Sequence, residues 1–209
     1  MKLIVPLILF FALLSLDVRV FGQSASADGG NEEYRVYDAA IEKMFAGEKV
    51  TFDTQAKIKQ IIIRDHTTTD YAYGDKKENW EQIKIRLPNL SEETVANYEA
   101  KLKSPIEFKQ PFNLALKYSL FSKKDYEAIF GAGRNANSTE DRWSKFYEKY
   151  PQSGGYIWLS NVGFNKARDQ ALVYFVHWCG TLCGTGHYIL LKRDEKGWQV
   201  ETIGMIWIS

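Results

Sequence analysis

The fold turns on Gln170-Ala171-Leu172-Val173-Tyr174-Phe175-Val176-His177-Trp178-Cys179. Side chains alternate across a strand, so Leu172, Tyr174, Val176 and Trp178 share one face, and Ala171, Val173 and Phe175 the other. Both faces are apolar, as expected of a central strand covered on each side. Tyr156–Phe164, His187–Arg193 and Trp198–Ile203 flank it as further strand-like runs, with Asn165–Asp169 and Asp194–Gly197 as hairpin loops. Loops this short leave no room for crossover helices, so these four strands should pair antiparallel as a meander.

Upstream of Pro151 the period is helical. Tyr34, Tyr37, Ile41, Met44 and Phe45 recur at three- and four-residue spacing, predicting a helix over Glu32–Ala46 closed by Gly47. Ser91 should cap a helix reaching about Leu102, and Ser122 one ending before Gly131. Thr139 or Ser138 should cap a third, carrying Trp143, Phe146, Tyr147 and Tyr150. Lys49–Phe52 and Ile58–Arg64 read as short strands, and so does Gln82–Leu87 (QIKIRL), which alternates apolar and charged residues. The expected class is α+β in one domain over residues 32–209. Helices would pack one face of the sheet, while the other curls over its own core or a pocket, giving a possibly cone-like curved sheet.

Residues 1–22 read as a cleavable export signal: Lys2, an apolar run from Leu3 to Leu16, then small residues. Cleavage would fall after Gly22 or after Ala27, and no cysteine sits nearby to accept a lipid. The run falls short of the roughly 20 residues that cross a bilayer, and Asp17 and Arg19 follow it. The expectation is therefore an exported protein, periplasmic or extracellular, with no stable membrane span after cleavage. Gln23–Asn31 (QSASADGGN) should be a flexible leader. Losing Lys2, Arg19 and Asp17 takes Lys+Arg from 27 to 25 and Asp+Glu from 26 to 25, leaving the charge near zero. Nucleic-acid binders carry a basic excess, so that class of partner is disfavoured.

His177-Trp178-Cys179-Gly180-Thr181-Leu182-Cys183-Gly184-Thr185-Gly186-His187 holds both cysteines and two of the three histidines. An exported protein meets oxidising surroundings, so a Cys179–Cys183 disulfide across a tight turn is the first reading. The second is a tetrahedral metal site built from His177, Cys179, Cys183 and His187, although the spacing fits no familiar zinc pattern. The third is a pair of free thiols, inert or redox-active, with a separation that departs from thioredoxin-like motifs.

His66, in Arg64-Asp65-His66-Thr67-Thr68-Thr69-Asp70, could act as a general base oriented by Asp65 or Asp70 with a threonine nearby, but Asp- and Thr-rich loops are also ordinary turn chemistry. Gly131-Ala132-Gly133 follows a helix where a dinucleotide loop would follow a strand. Glu140, Asp141 and Glu148 read as the solvated face of their helix. No G-x-S-x-G, H-E-x-x-H or paired CxxC occurs, and no cofactor motif was found.

Trp143…Phe146-Tyr147…Tyr150-Pro151, Leu159-Ser160-Asn161-Val162-Gly163-Phe164-Asn165, Cys179-Gly180…Leu182-Cys183-Gly184 and Gly197-Trp198…Val200 together resemble a group of uncharacterised bacterial exported proteins. The resemblance covers about residues 118–203. It implies export and a shared fold and assigns no catalytic residue. Helices followed by a curved meander are, more remotely, similar to cystatin-like and nuclear-transport-factor-like folds, an analogy that supplies no function. The expectation is a non-enzymatic domain that binds a small ligand or an envelope protein. The rival is a hydrolase or metal-dependent enzyme using His66 or the cysteine/histidine cluster.

Overall fold

A computed structural model describes residues 29–46, 57–70, 79–131 and 139–209. The export signal with both cleavage points, most of the leader, the strand expected at Lys49–Phe52 and the loop after Gly131 lie outside the described residues. Twelve elements follow one another: α1 (Gly29–Phe45), β1 (Gln60–Arg64), α2 (Trp80–Arg86), α3 (Glu92–Lys101), β2 (Lys117–Phe121), α4 (Lys123–Phe130), α5 (Thr139–Lys149), β3 (Ser153–Leu159), β4 (Gly163–Phe164), β5 (Gln170–Gly180), β6 (Cys183–Asp194) and β7 (Gly197–Ile208). None of the described helices is long and apolar enough to cross a membrane.

The class is α+β, but the sheet is larger than a four-stranded meander. It has seven strands in the order β2-β1-β3-β5-β6-β7, with β4 also pairing with β5. β1 lies parallel to both β2 and β3, and the remaining pairs are antiparallel. The sheet is open rather than a closed cone. Lys117–Phe121 (KYSLF) escapes a sequence reading because it is short and only Phe121 is buried, as suits an edge strand. Tyr156–Phe164 is two strands, since Ser160 leaves the ladder to hydrogen-bond Tyr174 and the carbonyl of Asn161.

Helices cover both faces, correcting the expectation of one covered face and one that curls over a pocket. Ala171, Val173 and Phe175 meet Ile61, Ile63, Ile157, Ile189 and Leu191 beneath Val36, Tyr37, Ala40 and Ile41 of α1. On the opposite face, Leu172, Tyr174 and Val176 join Tyr188 and Leu190 beneath α2 and α3. Further along that face, Ile62 and Tyr156 lie beneath α4 and α5 with Phe121, Phe146 and Tyr150.

α2 overturns the strand expected at Gln82–Leu87. Ile83 and Leu87, four apart, are both buried while Ile85 is 72% exposed, a helical rather than an alternating pattern. Asn79 accepts from the Gln82 N–H at 3.3 Å, and Glu81 early with Lys84 and Arg86 late suits the helix dipole. Ser91 and Ser122 cap α3 and α4 as expected, accepting from the Thr94 and Asp125 N–H groups. α1 starts three residues inside the supposed leader. Its first-turn Glu32 is buried and paired with Arg168 and with Arg193, which ties the helix to the β4–β5 connection and the end of β6.

α1 also holds down the irregular stretch 103–116. Tyr34, Asp38 and Glu42 stand four residues apart on one helix face. The Tyr34 hydroxyl accepts from the N–H groups of Lys109 and Gln110, the Asp38 carboxylate from Asn113 at 3.0 Å and Glu42 from Ala115. Burial, with the nearby Glu42, pushes the Asp38 pKa up to about 6 despite the Asn113 N–H, which pulls it down.

Candidate ligand site

β1 (QIIIR) sends Ile61 and Ile63 toward α1, so Ile62 and Arg64 face the other way. Ile62 is roofed by α4 and α5. Arg64 closes the strand at the same carboxyl end as Phe121 of β2 and Leu159 of β3, the end of a parallel set where ligands bind in open sheets. Its guanidinium carbon lies 4.2 Å from the Tyr126 ring centroid, 4.9 Å from that of Trp158 and 5.5 Å from that of Phe121. Arg64 is only 4% exposed, yet its Nε and Nη1 have no hydrogen-bond partner among the described residues. Burial lowers its pKa, against the opposing pull of Tyr156, Tyr126, Asp65 and Glu127. A buried guanidinium with two unmatched nitrogens is costly, and such groups call for a functional account. The phenol of Tyr156 behind it is pushed well up by burial and by Tyr126.

The next two residues form a pair. His66 Nδ1 donates to Asp65 Oδ1 at 2.5 Å, and each side chain is 25% exposed. Trp158 meets the His66 ring edge to face at 5.8 Å and donates from Nε1 to the His66 carbonyl at 3.0 Å. Asp65 therefore orients His66 as the sequence suggested; Asp70 gives its backbone N–H to Thr68 Oγ1 instead. Two of the three threonines are engaged. Thr67 Oγ1 donates to Asn161 Oδ1 at 2.5 Å and accepts from the Ile106 N–H at 2.8 Å, while both Thr67 and Thr68 are almost fully buried.

Half-buried tryptophans continue across the same face. Trp178 packs against both the α2–α3 and the α4–α5 clusters, and its ring centroid lies 5.0 Å from that of Trp207. Glycines of β6 make room for these indoles: a Cβ on Gly184 would sit 2.6 Å from the Trp178 ring, and one on Gly186 2.1 Å from Trp207 Nε1. The CG-x-L-CG-x-G pattern is thus a device for laying two indoles over β6.

Cys179 and Cys183 stand at disulfide distance, joined with Cα atoms 5.0 Å apart, and the Cys179 carbonyl accepts from Tyr147 Oη at 2.8 Å. The four-residue metal set is not assembled. His177 donates Nε2 to the Gly154 carbonyl at 2.6 Å and packs on Phe45. His187 is paired across the sheet with Phe175, and burial lowers its pKa. Among the described residues no three His, Cys, Asp or Glu side chains gather as metal ligands. Asp141 and Glu148 are exposed on α5, the solvated face expected of them; the Glu140 side chain lies outside the described residues.

A shallow groove of about 690 Å³ between α3 and β4 includes Ala96, Ala100, Phe164 and several charged groups. Those charges are already paired: Lys101 with Glu33, Lys166 with Glu93, Arg168 with Glu32. It is apolar surface without a free polar anchor, and Arg64 offers the stronger recognition chemistry.

Sequence reasoning placed Arg64 only as the end of a strand. Its signal is that the parity of Ile62 ends in a cation at a position that should be covered. No family model, no curated protein and no solved structure matches the chain.

Proposed function

We propose that this protein is a non-enzymatic exported binding domain that takes a small oxyanion-bearing ligand at the carboxyl ends of β1, β2 and β3. One observation carries the reading: Arg64 is buried, ringed by aromatics, and has two nitrogens without a hydrogen-bond partner among the described residues. An oxyanion on Nε or Nη1 would supply the charge-assisted hydrogen bonds that the fold leaves unmade. The Cys179–Cys183 disulfide is compatible with placement outside the cytoplasm. Isothermal titration of the protein with acetate, benzoate and inorganic phosphate, beside Arg64→Met, tests it. Heat that follows at least one anion and vanishes in the variant is expected; no binding, or binding indifferent to Arg64, defeats it.

A hydrolytic reading has the Asp65–His66 hydrogen bond in its favour. Two of the three threonines beside it, Thr67 and Thr68, are engaged in fastening the loop.

A further inference from the structure

We infer that β7 pairs edge to edge and antiparallel with β7 of a second copy of this chain, about a two-fold axis at Ile203. The inference is independent of the anion reading above.

The backbone supplies the first argument. β7 closes one side of the sheet and β2 the other. β2 is five residues long and carries Lys117, which suits an edge that stays alone. β7 has twelve residues, and its exposed Ile203 and Met205 lie between two bulged positions, Glu201 and Ile206. Gly184 and Ser209 exchange backbone hydrogen bonds, so the even-numbered residues of β6 turn their amide groups toward β7 and the odd-numbered ones toward β5. Ile203 and Met205 stand opposite Ile189 and His187, odd-numbered residues. Their own N–H and C=O groups therefore point out of the sheet, and Ile203 set against its copy forms a reciprocal pair of N–H···O=C bonds.

Charge sets the register and the partner. A Cβ on Gly204 would lie 3.1 Å from the Cβ of Arg86, so α2 stands directly over that point of β7. Glu201 is held on the same face, where its Oε1 accepts from Nδ2 of Asn89 at 2.7 Å, just past α2. Arg86 is exposed, and neither Arg86 nor Glu201 forms an ion pair among the described residues. With Ile203 on the axis, Gly204 of each copy faces Thr202 of the other. Each Arg86 then stands one strand spacing, ~4.8 Å, and one residue away from the other copy's Glu201. An axis at Met205 would instead bring the two Arg86 side chains together. A second copy thus supplies an anion for Arg86 and a cation for Glu201. On the opposite face Ile203, which lies beside Ile189 of the α1 cluster, packs on its own copy. The regular stretch between the bulges is short, so the dimer should be weak, with a dissociation constant on the order of 100 µM.

Sedimentation velocity of the full chain, from about 10 µM to about 1 mM, tests this. The wild type should pass from monomer to dimer. Arg86→Glu and Glu201→Arg each set like charges across the axis and should weaken the dimer about tenfold, while the double exchange should restore it. Ile203→Pro removes an outward N–H and leaves the β6 ladder intact, so it should be monomeric with an unchanged circular dichroism spectrum. A wild type still monomeric at the highest concentration overturns the second copy as partner and leaves the edge to a foreign strand. Growth beyond the dimer overturns the closed two-fold pairing. Association that ignores the single variants, or that the double exchange does not restore, overturns this interface. The charge exchange decides the matter even if Ile203→Pro fails to fold.

Discussion

Replacing Arg64 by methionine should leave the ligand-free protein as stable as the wild type or more so. Arg64 is 4% exposed, with Nε and Nη1 lacking partners among the described residues. A buried, unsatisfied polar group costs about 1–3 kcal/mol, and a charged one more. Against this stand the ring contacts at 4.2, 4.9 and 5.5 Å, together roughly 2 kcal/mol where cation and ring are desolvated. Methionine keeps an unbranched apolar stem and adds no charge, so the balance runs from about zero to about 2 kcal/mol in its favour. An arginine serving as a satisfied structural ion would behave oppositely, its removal costing about 3–5 kcal/mol. Urea denaturation followed by circular dichroism separates the two outcomes, which differ by about 3 kcal/mol or more in unfolding free energy. A loss of more than about 2 kcal/mol would refute the reasoning that the fold carries Arg64 for a ligand.

Other outcomes follow from the same geometry. Asp38 titrates near 6 when folded and near 3.8 when unfolded, so the native state holds more protons between those values and stability falls as pH rises across them. Asp38→Asn keeps an oxygen for the Asn113 N–H; it should gain about 1 kcal/mol at pH 8, after discounting a nominal 3 kcal/mol for half exposure, and nothing below pH ~4. Equal or lower stability at pH 8 in chemical denaturation would contradict this. Gly186→Ala should lose about 2–4 kcal/mol, because its Cβ would meet Trp207 Nε1 and Tyr174 Oη and part their hydrogen bond; an unchanged Tm would sink it. Thiol titration of the denatured, unreduced protein should find no free cysteine, and reduction should cost only ~2 kcal/mol, since the Cys179–Cys183 loop is short.

The sequence announced the fold wherever local chemistry and final burial agree. Ser91 and Ser122 cap their helices because a hydroxyl ahead of a helical run has one good use. β5 is central because both its parities are apolar and both faces are covered. Failures came where tertiary context decides. QIKIRL satisfies a strand by alternation and a helix by Ile83 and Leu87, and only the sheet beneath α2 chooses between them. The parallel pairing of β1 with β2 and β3 depends on contacts far apart in the chain, and β2 is too exposed to announce itself. The site was partly legible: His66 was singled out and Asp65 does hold it. Arg64 was not, because a cation ending a strand usually reaches water, and its burial comes from Phe121, Tyr126 and Trp158 on three other elements.

The Nε–H of Arg64 can be observed directly by nitrogen-15 NMR, with Arg64→Lys assigning the resonance. In the ligand-free protein it should show the shift of an arginine without a hydrogen-bond acceptor, and benzoate should move it downfield in step with occupancy. A resonance already shifted as if hydrogen-bonded without ligand, or one unmoved while benzoate binds, would contradict the assignment of Arg64 as the anchor.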